Sequence, residues 1–206
     1  MLPHFTALGA GPIVLMLHGA GGNFRSFAPQ VERLAHAGYK AVAWDMPGYG
    51  HSVPVEPYGL KGLAHSAIAL IEALLPADAP APKRSVHLVG HGLGGMVAQE
   101  LIMRRPDLVR SLVLVGSTSG PDSGWAQDAV SQTLLLDAAA DADRPRWAQT
   151  VVDAQVGPLA LTEGVMLARH CMAQVSPVTY RHALQAQATF DRDAALSHIH
   201  VPTLLI

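Results

Sequence analysis

The chain has 206 residues with 14 basic and 16 acidic side chains, a formal charge of −2. Half of the residues are apolar and 15% are charged, which excludes intrinsic disorder, and the near-neutral balance without a basic block argues against nucleic acid or an anionic membrane surface as partner. The single Cys171 excludes an intramolecular disulfide and a multi-cysteine metal cage, and neither a signal-peptide pattern nor a bilayer-spanning run is present, so the expectation is a soluble, cytoplasmic globular protein.

Residues 13–17 (Ile-Val-Leu-Met-Leu) form an unbroken apolar run closed by His18-Gly19, the pattern of a strand buried on both faces of a parallel sheet. Phe27, Val31, Leu34 and Ala35 then fall on one helical stripe, which Gly38 stops. A second short strand is predicted over 40–44, ending at Asp45. The turn-rich 47–50 segment leads into a longer amphipathic helix carrying Leu60, Leu63, Ala64, Ala67, Ile68, Ile71, Leu74 and Leu75. Pro76, Pro80 and Pro82 mark a surface loop. A third strand over 86–89 runs into Gly90-His91-Gly92-Leu93-Gly94-Gly95. A helix follows from about Met96 to Arg105, ended by Pro106, and then a fourth strand over 111–115. This alternation with short connections predicts right-handed parallel crossovers and a doubly wound α/β sheet.

The pattern changes near Ser117. From about Trp125 to Phe190 the sequence reads as helical, with apolar faces supplied by Leu134, Leu135, Leu136, Val151, Val152, Leu159, Leu161, Val165, Leu167 and Ala168. The domain reading is a core over 1–118, a helical cap insertion over 119–192, and the start of a returning core strand over 193–206. The run from Val201 to Ile206 begins another buried strand.

Three turns sit at the C-terminal ends of predicted parallel strands, where open α/β sheets place their ligand crevice. They are His18-Gly19-Ala20-Gly21-Gly22-Asn23, the 45–52 segment (Asp-Met-Pro-Gly-Tyr-Gly-His-Ser), and the 90–95 glycine turn. With Arg104-Arg105-Pro106-Asp107 ahead of the fourth strand and the Val-Pro-Thr-Leu-Leu-Ile segment, they resemble the α/β-hydrolase family, in particular small bacterial esterases, enol-lactonases and carbon–carbon bond hydrolases. The resemblance covers nearly the whole chain. It implies a mainly parallel sheet with a helical cap, and a parent activity of serine-type hydrolysis on small ester, lactone or related carbonyl substrates. The family's Gly-x-Ser-x-Gly nucleophile elbow lifts a serine hydroxyl above the sheet on a strained strand-to-helix turn. Here it reads Gly90-His91-Gly92-Leu93-Gly94, with Gly92 at the serine position. Glycine has no side chain with which to attack a carbonyl, so an inactive chain is expected.

The resemblance also implies an oxyanion hole from the backbone N–H groups of Leu93 and of Ala20 or Gly21, with His18, Gly19 and His91 lining the substrate crevice. The family's acid usually follows the strand that begins here at Val201, and its histidine follows the next one. The chain ends at Ile206 before either position, so the resemblance suggests a C-terminal truncation that lacks the last strand or strands and helices. Self-association through the uncovered sheet edge is then expected. Family members that place the acid after the preceding strand point to Asp122.

Other chemistry is weaker. Gly90, Gly92 and Gly95 also spell a Gly-x-Gly-x-x-Gly dinucleotide fingerprint, but the ribose-binding acid expected about 20 residues on is missing around 115–117. His198 and His200 lack further metal ligands at suitable spacing, and Cys171 reads as a small buried residue of the cap. Asp45 and the turn after it read as structural. No cofactor and no metal are expected. The ligand class is a small apolar carbonyl compound, either turned over by a parent enzyme or held by a non-catalytic binding protein.

Overall fold

A computed structural model describes residues 1–76, 84–120 and 143–206. Six strands form one sheet: β1 (Phe5–Leu8), β2 (Ile13–Leu17), β3 (Lys40–Trp44), β4 (Val86–His91), β5 (Val109–Val115) and β6 (Thr203–Leu205). Their order is β1-β3-β2-β4-β5-β6. Only β1 runs antiparallel, pairing Phe5 with Trp44; the other neighbours are parallel. From β2 the chain steps outward to β3, then crosses back to β4 on the other side of β2. The β2–β4 pair is therefore the topological switch point, where such sheets open a crevice beyond their strand ends. Leu17 lies beside Gly90 in register, so the turns that follow these two strands stand next to each other.

All five β2 residues are buried, because both faces of the central strand are covered. Leu15 and Leu17 face a layer formed by α2 (Leu60–Leu74) and α3 (Leu93–Arg104). Val14 and Met16 face α1 (Ala28–His36) through Val31 and Leu34. Three further described helices follow: α4 (Arg144–Asp153), α5 (Thr162–Ala173) and α6 (Pro177–Ala188). Trp147, Met172, Val175, Tyr180, Leu184 and Phe190 join them to the α2–α3 side of the core. None of the described helices is long and apolar enough to cross a membrane.

The strands predicted at 13–17 and 40–44 have the expected bounds, and other elements differ for physical reasons. β4 extends to His91 and α3 begins at Leu93 rather than near Met96, because the Gly92 carbonyl already accepts the Gly95 and Met96 N–H groups at 2.9 and 3.3 Å. β5 starts at Val109, which pairs with Val86 before a register shift. The expected buried strand after Val201 is shorter, and it is exposed: Leu204 and Leu205 are 55% and 71% open, since among the described residues β6 pairs only with β5. The β1 edge strand had no sequence signature. Its four residues alternate too briefly to be told from a loop.

Candidate functional site

Glycine at 90, 92 and 94 answers two different steric demands. Gly92, between β4 and α3, has φ 51° and ψ −117°, a left-handed conformation that a side chain would strain and glycine adopts freely. A Cβ built there would meet nothing nearer than the Gly116 carbonyl oxygen and the Gly19 Cα, both at 3.9 Å. The space for a side chain is open although the side chain is absent. Gly90 and Gly94 are fixed by close approach instead. A Cβ on Gly90 would lie 2.5 Å from the Gly95 Cα, and one on Gly94 would lie against the Leu17 carbonyl oxygen. This is how α3 packs directly onto the ends of β2 and β4, and it accounts for these glycines without a dinucleotide.

The turn is held from two sides. The Gly92 N–H donates to the Val115 carbonyl at 3.0 Å, and the Ser117 hydroxyl donates to the Gly92 carbonyl at 3.0 Å. Leu93 is the first residue of α3, so its N–H has no carbonyl four residues earlier within the helix and lies at the positive helix end. No acidic side chain occupies the first turn of α3.

Across the crevice stands the loop after β2. The Gly19 Cα is the near neighbour of position 92, and on its other side a Cβ on Gly19 would approach the His91 ring at 2.9 Å. The Gly22 N–H closes a turn onto the Gly19 carbonyl at 3.0 Å, and the Ala20 carbonyl accepts the Tyr49 hydroxyl at 2.9 Å. Met172 of α5 covers Gly21, its sulfur 2.8 Å from where a Cβ would be. The structure thus brings together Gly19, Ala20, Gly21, His91, Gly92 and Leu93.

His18 plays a different part from the crevice-lining role expected of it. Its ring is fully buried, with Nδ1 donating to the Gly19 carbonyl at 2.8 Å and Nε2 accepting the Met46 N–H at 2.9 Å. It packs edge-on against Tyr49 at 4.9 Å between ring centres. Burial pushes its pKa down to about 4, only partly offset by the Gly19 carbonyl and the Asp45 charge. A neutral imidazole with both nitrogens engaged ties β2 to β3 and has none left for a ligand. His91 is more open, and desolvation lowers its pKa as well.

Asp45 is fully buried and structural. Its Oδ1 accepts the Phe24 N–H at 3.0 Å, its Oδ2 pairs with His4 Nδ1 at 2.7 Å, and its carbonyl accepts the Ser52 hydroxyl at 2.6 Å. Cys171 is buried, and desolvation raises its thiol pKa, which removes it as a nucleophile at neutral pH. A serine–histidine hydrogen bond occurs elsewhere, Ser111 to His87 at 2.7 Å. It lies near the N-terminal end of β4, about 13 Å along the strand from His91. Asp122 and Leu134 to Leu136 lie outside the described residues. Among the described residues no group of three His, Cys, Asp or Glu side chains is placed to hold a metal ion.

Sequence reasoning missed the groups that lock the site from a distance. Ser117 is 25 residues from Gly92. Gln174, 151 residues from Asn23, accepts its side-chain amide at 3.3 Å and also the Arg25 guanidinium. Thr179 donates to the Gly48 carbonyl at 3.0 Å, seating α6 on the turn after β3. No local pattern marks such pairs.

Comparison with known proteins bears on this geometry directly. The alpha/beta hydrolase fold family matches residues 12–174. A Variovorax paradoxus protein named "Putative carbamate hydrolase RutD" is 32% identical over 208 residues, covering 95% of this chain and 72% of its own. An esterase from Exiguobacterium antarcticum superposes with a TM-score of 0.82 at 21% identity, over 98% of this chain and 75% of that one. A serine-to-glycine mutant of N-acyl homoserine lactonase AidH, complexed with N-hexanoyl homoserine lactone, superposes at 0.71 with 19% identity, over 97% and 72%. A glycine-built strand–turn–helix at the switch point of a mainly parallel sheet, with these relatives, places the chain in one group: it belongs to the α/β-hydrolase fold family.

Proposed function

We propose that this chain does not perform acyl-enzyme hydrolysis, and that its crevice holds a small apolar carbonyl compound between the 19–21 loop and Gly92. The observation that carries this reading is position 92, where the backbone of a nucleophile turn is kept and the nucleophile is missing. Acyl transfer needs an attacking oxygen or sulfur on that turn. Ser117 is committed to the Gly92 carbonyl, and Cys171 is buried. The parent chemistry supported by the hydrolase relatives is hydrolysis of esters, lactones or carbamates.

What remains suits binding. The Leu93 N–H, at the positive end of α3, and the Ala20 or Gly21 N–H opposite form an oxyanion hole for a carbonyl oxygen. In working enzymes one such donor contributes about 2.7–4 kcal/mol, but only to an oxyanion that forms. Without a nucleophile the same donors hold a ground-state carbonyl. Residues 1–118 and 193–206 make the core in this reading, and 119–192 the cap that shuts the crevice, with Met172 over Gly21. The AidH mutant, which seats an acyl lactone after a serine-to-glycine change, supports a ligand held without a serine hydroxyl.

The test pairs turnover with binding. The native chain is expected to release no p-nitrophenol from p-nitrophenyl butyrate above the buffer rate and to take no label from a fluorophosphonate. N-hexanoyl homoserine lactone is expected to raise its Tm in proportion to the logarithm of its concentration above Kd, reaching about 2.7 kcal/mol of stabilisation at a hundredfold excess. Inhibitor-sensitive turnover by the native chain overturns the first half of the proposal; an unchanged Tm at every concentration overturns the second. Gly92→Ser has space for its hydroxyl but strains the backbone, and is expected to lower stability by about 1–3 kcal/mol.

A further inference from the structure

Whether the loop after β2 offers an N–H to the crevice depends on how its peptide planes are turned. A trans amide carries its N–H opposite its carbonyl, so a donor that holds the carbonyl of one residue fixes the direction of the next residue's N–H. The 19–22 loop has trans peptides throughout, since Glu56-Pro57 is the one cis bond among the described residues. Its first two carbonyls are both held. That of Gly19 accepts His18 Nδ1 at 2.8 Å and the Gly22 N–H at 3.0 Å. That of Ala20 accepts the Tyr49 hydroxyl at 2.9 Å. The Ala20 and Gly21 N–H groups, on the opposite edges of these two peptides, meet no acceptor among the described residues.

Tyr49 is suited to this hold. It is 2% exposed, and its ring meets the His18 ring edge-on at 4.9 Å, so two buried rings sit beside neighbouring peptides of one loop. Burial keeps its pKa well above the ordinary phenol value, and the hydroxyl stays a protonated donor. The turn that carries it is fixed in its own right. The Tyr49 N–H donates to the Met46 carbonyl at 2.8 Å, and the Gly48 carbonyl accepts Thr179 of α6 at 3.0 Å. A phenylalanine would fill the same space, but it could not hold the Ala20 carbonyl.

We infer that Tyr49 is a positioning residue of the crevice: by holding the Ala20 carbonyl it turns the Gly21 N–H towards the space over Gly92, where that N–H donates to a bound carbonyl oxygen beside the Leu93 N–H. The inference rests on the binding reading given above and adds to it the side chain that aims one of the donors.

The test is Tyr49→Phe in the isotopically labelled chain, which removes one oxygen and keeps the buried ring. Without ligand, the Gly21 amide is expected to give one sharp line in the native chain and a broadened or doubled line in Tyr49→Phe, because the 20–21 peptide is free to turn. With N-hexanoyl homoserine lactone, the Gly21 and Leu93 amides of the native chain are both expected to shift. In Tyr49→Phe the Leu93 shift persists, the Gly21 shift is lost, and Kd rises about tenfold, equivalent to about 1.4 kcal/mol. Ser52→Ala controls for stability alone. It removes another buried hydroxyl of the same turn, one that donates to the Asp45 carbonyl at 2.6 Å and makes no hydrogen bond to the 19–22 loop. It is expected to lower Tm without changing Kd or the Gly21 line. An unchanged Gly21 line in Tyr49→Phe, an equal Kd, or the same rise in Kd with Ser52→Ala would each overturn the inference. A native chain in which neither amide shifts at any lactone concentration overturns the binding reading instead, and the ligand-free Gly21 line still decides whether Tyr49 aims the loop.

Discussion

The switch point of the sheet and the helices that lie over it are built to different tolerances. At the switch point, α3 touches the β2 and β4 backbones so closely that a single methyl on Gly90 or Gly94 has nowhere to go, and His18 and Asp45 are fully buried with their polar atoms paired. The α5 side is looser. Only Cys171 and Met172 of α5 are fully buried, Leu159, Leu161 and Met166 stand exposed, and the link to the turns below runs through a few side chains such as Gln174 and Thr179. The difference teaches that the turn at position 92 owes its architecture to backbone contacts, which do not depend on a side chain at that position.

That contrast can be broken most severely at Gly94. Gly94→Ala places a methyl against the Leu17 carbonyl oxygen and must push α3 off the sheet, at a cost of about 3 kcal/mol or more. Urea denaturation would show this as a lowered midpoint; a midpoint equal to the native one would mean that the helix can move freely and that the switch point is no tighter than the cap.

Acid is the next lever, through His18. Its folded pKa of about 4 lies below the unfolded value near 6.5, so the unfolded chain binds the extra proton between those limits. The contribution is complete above pH 6.5, is lost as pH falls towards 4, and amounts to about 3 kcal/mol. In an NMR titration the His18 ring protons are expected to stay at their neutral shifts down to about pH 5. A midpoint near 6.5 would show that the ring is open to water and that the burial argument fails.

The smallest effect is expected above the sheet. Thr179→Val removes one hydrogen bond to the Gly48 carbonyl while keeping shape, and is expected to cost about 1 kcal/mol in denaturant midpoint without altering the His18 titration. A loss as large as that of Gly94→Ala would show that α6 is as firmly built in as α3.

Much of the framework is legible in the residues themselves. The apolar runs at 13–17 and 41–44, the second opened by Lys40, gave strand bounds that hold, because a strand covered on both faces has few polar positions to blur its ends. The 90–95 turn was legible for the same kind of reason: glycine at 92 reports a left-handed backbone, and glycine at 90 and 94 reports close approach. The edge strand β1 was not legible, since its four residues draw their order from pairing with β3, 33 or more positions away. Nor was the exposure of β6, whose apolar sequence reads as buried until its neighbours are known.

The candidate site divides in the same way. From sequence alone came the glycine at position 92 and the expected adjacency of two loops at strand ends, because a side chain's absence and a strand's C-terminus are local facts. Tertiary structure alone decided that His18 is a buried tie rather than a crevice wall, that Ser117 clamps the Gly92 carbonyl, and that Gln174 joins Asn23 and Arg25. Each of these depends on groups distant in the chain meeting at hydrogen-bond or van der Waals distance. Such meetings are set by how the layers pack, and no periodicity in the sequence records them.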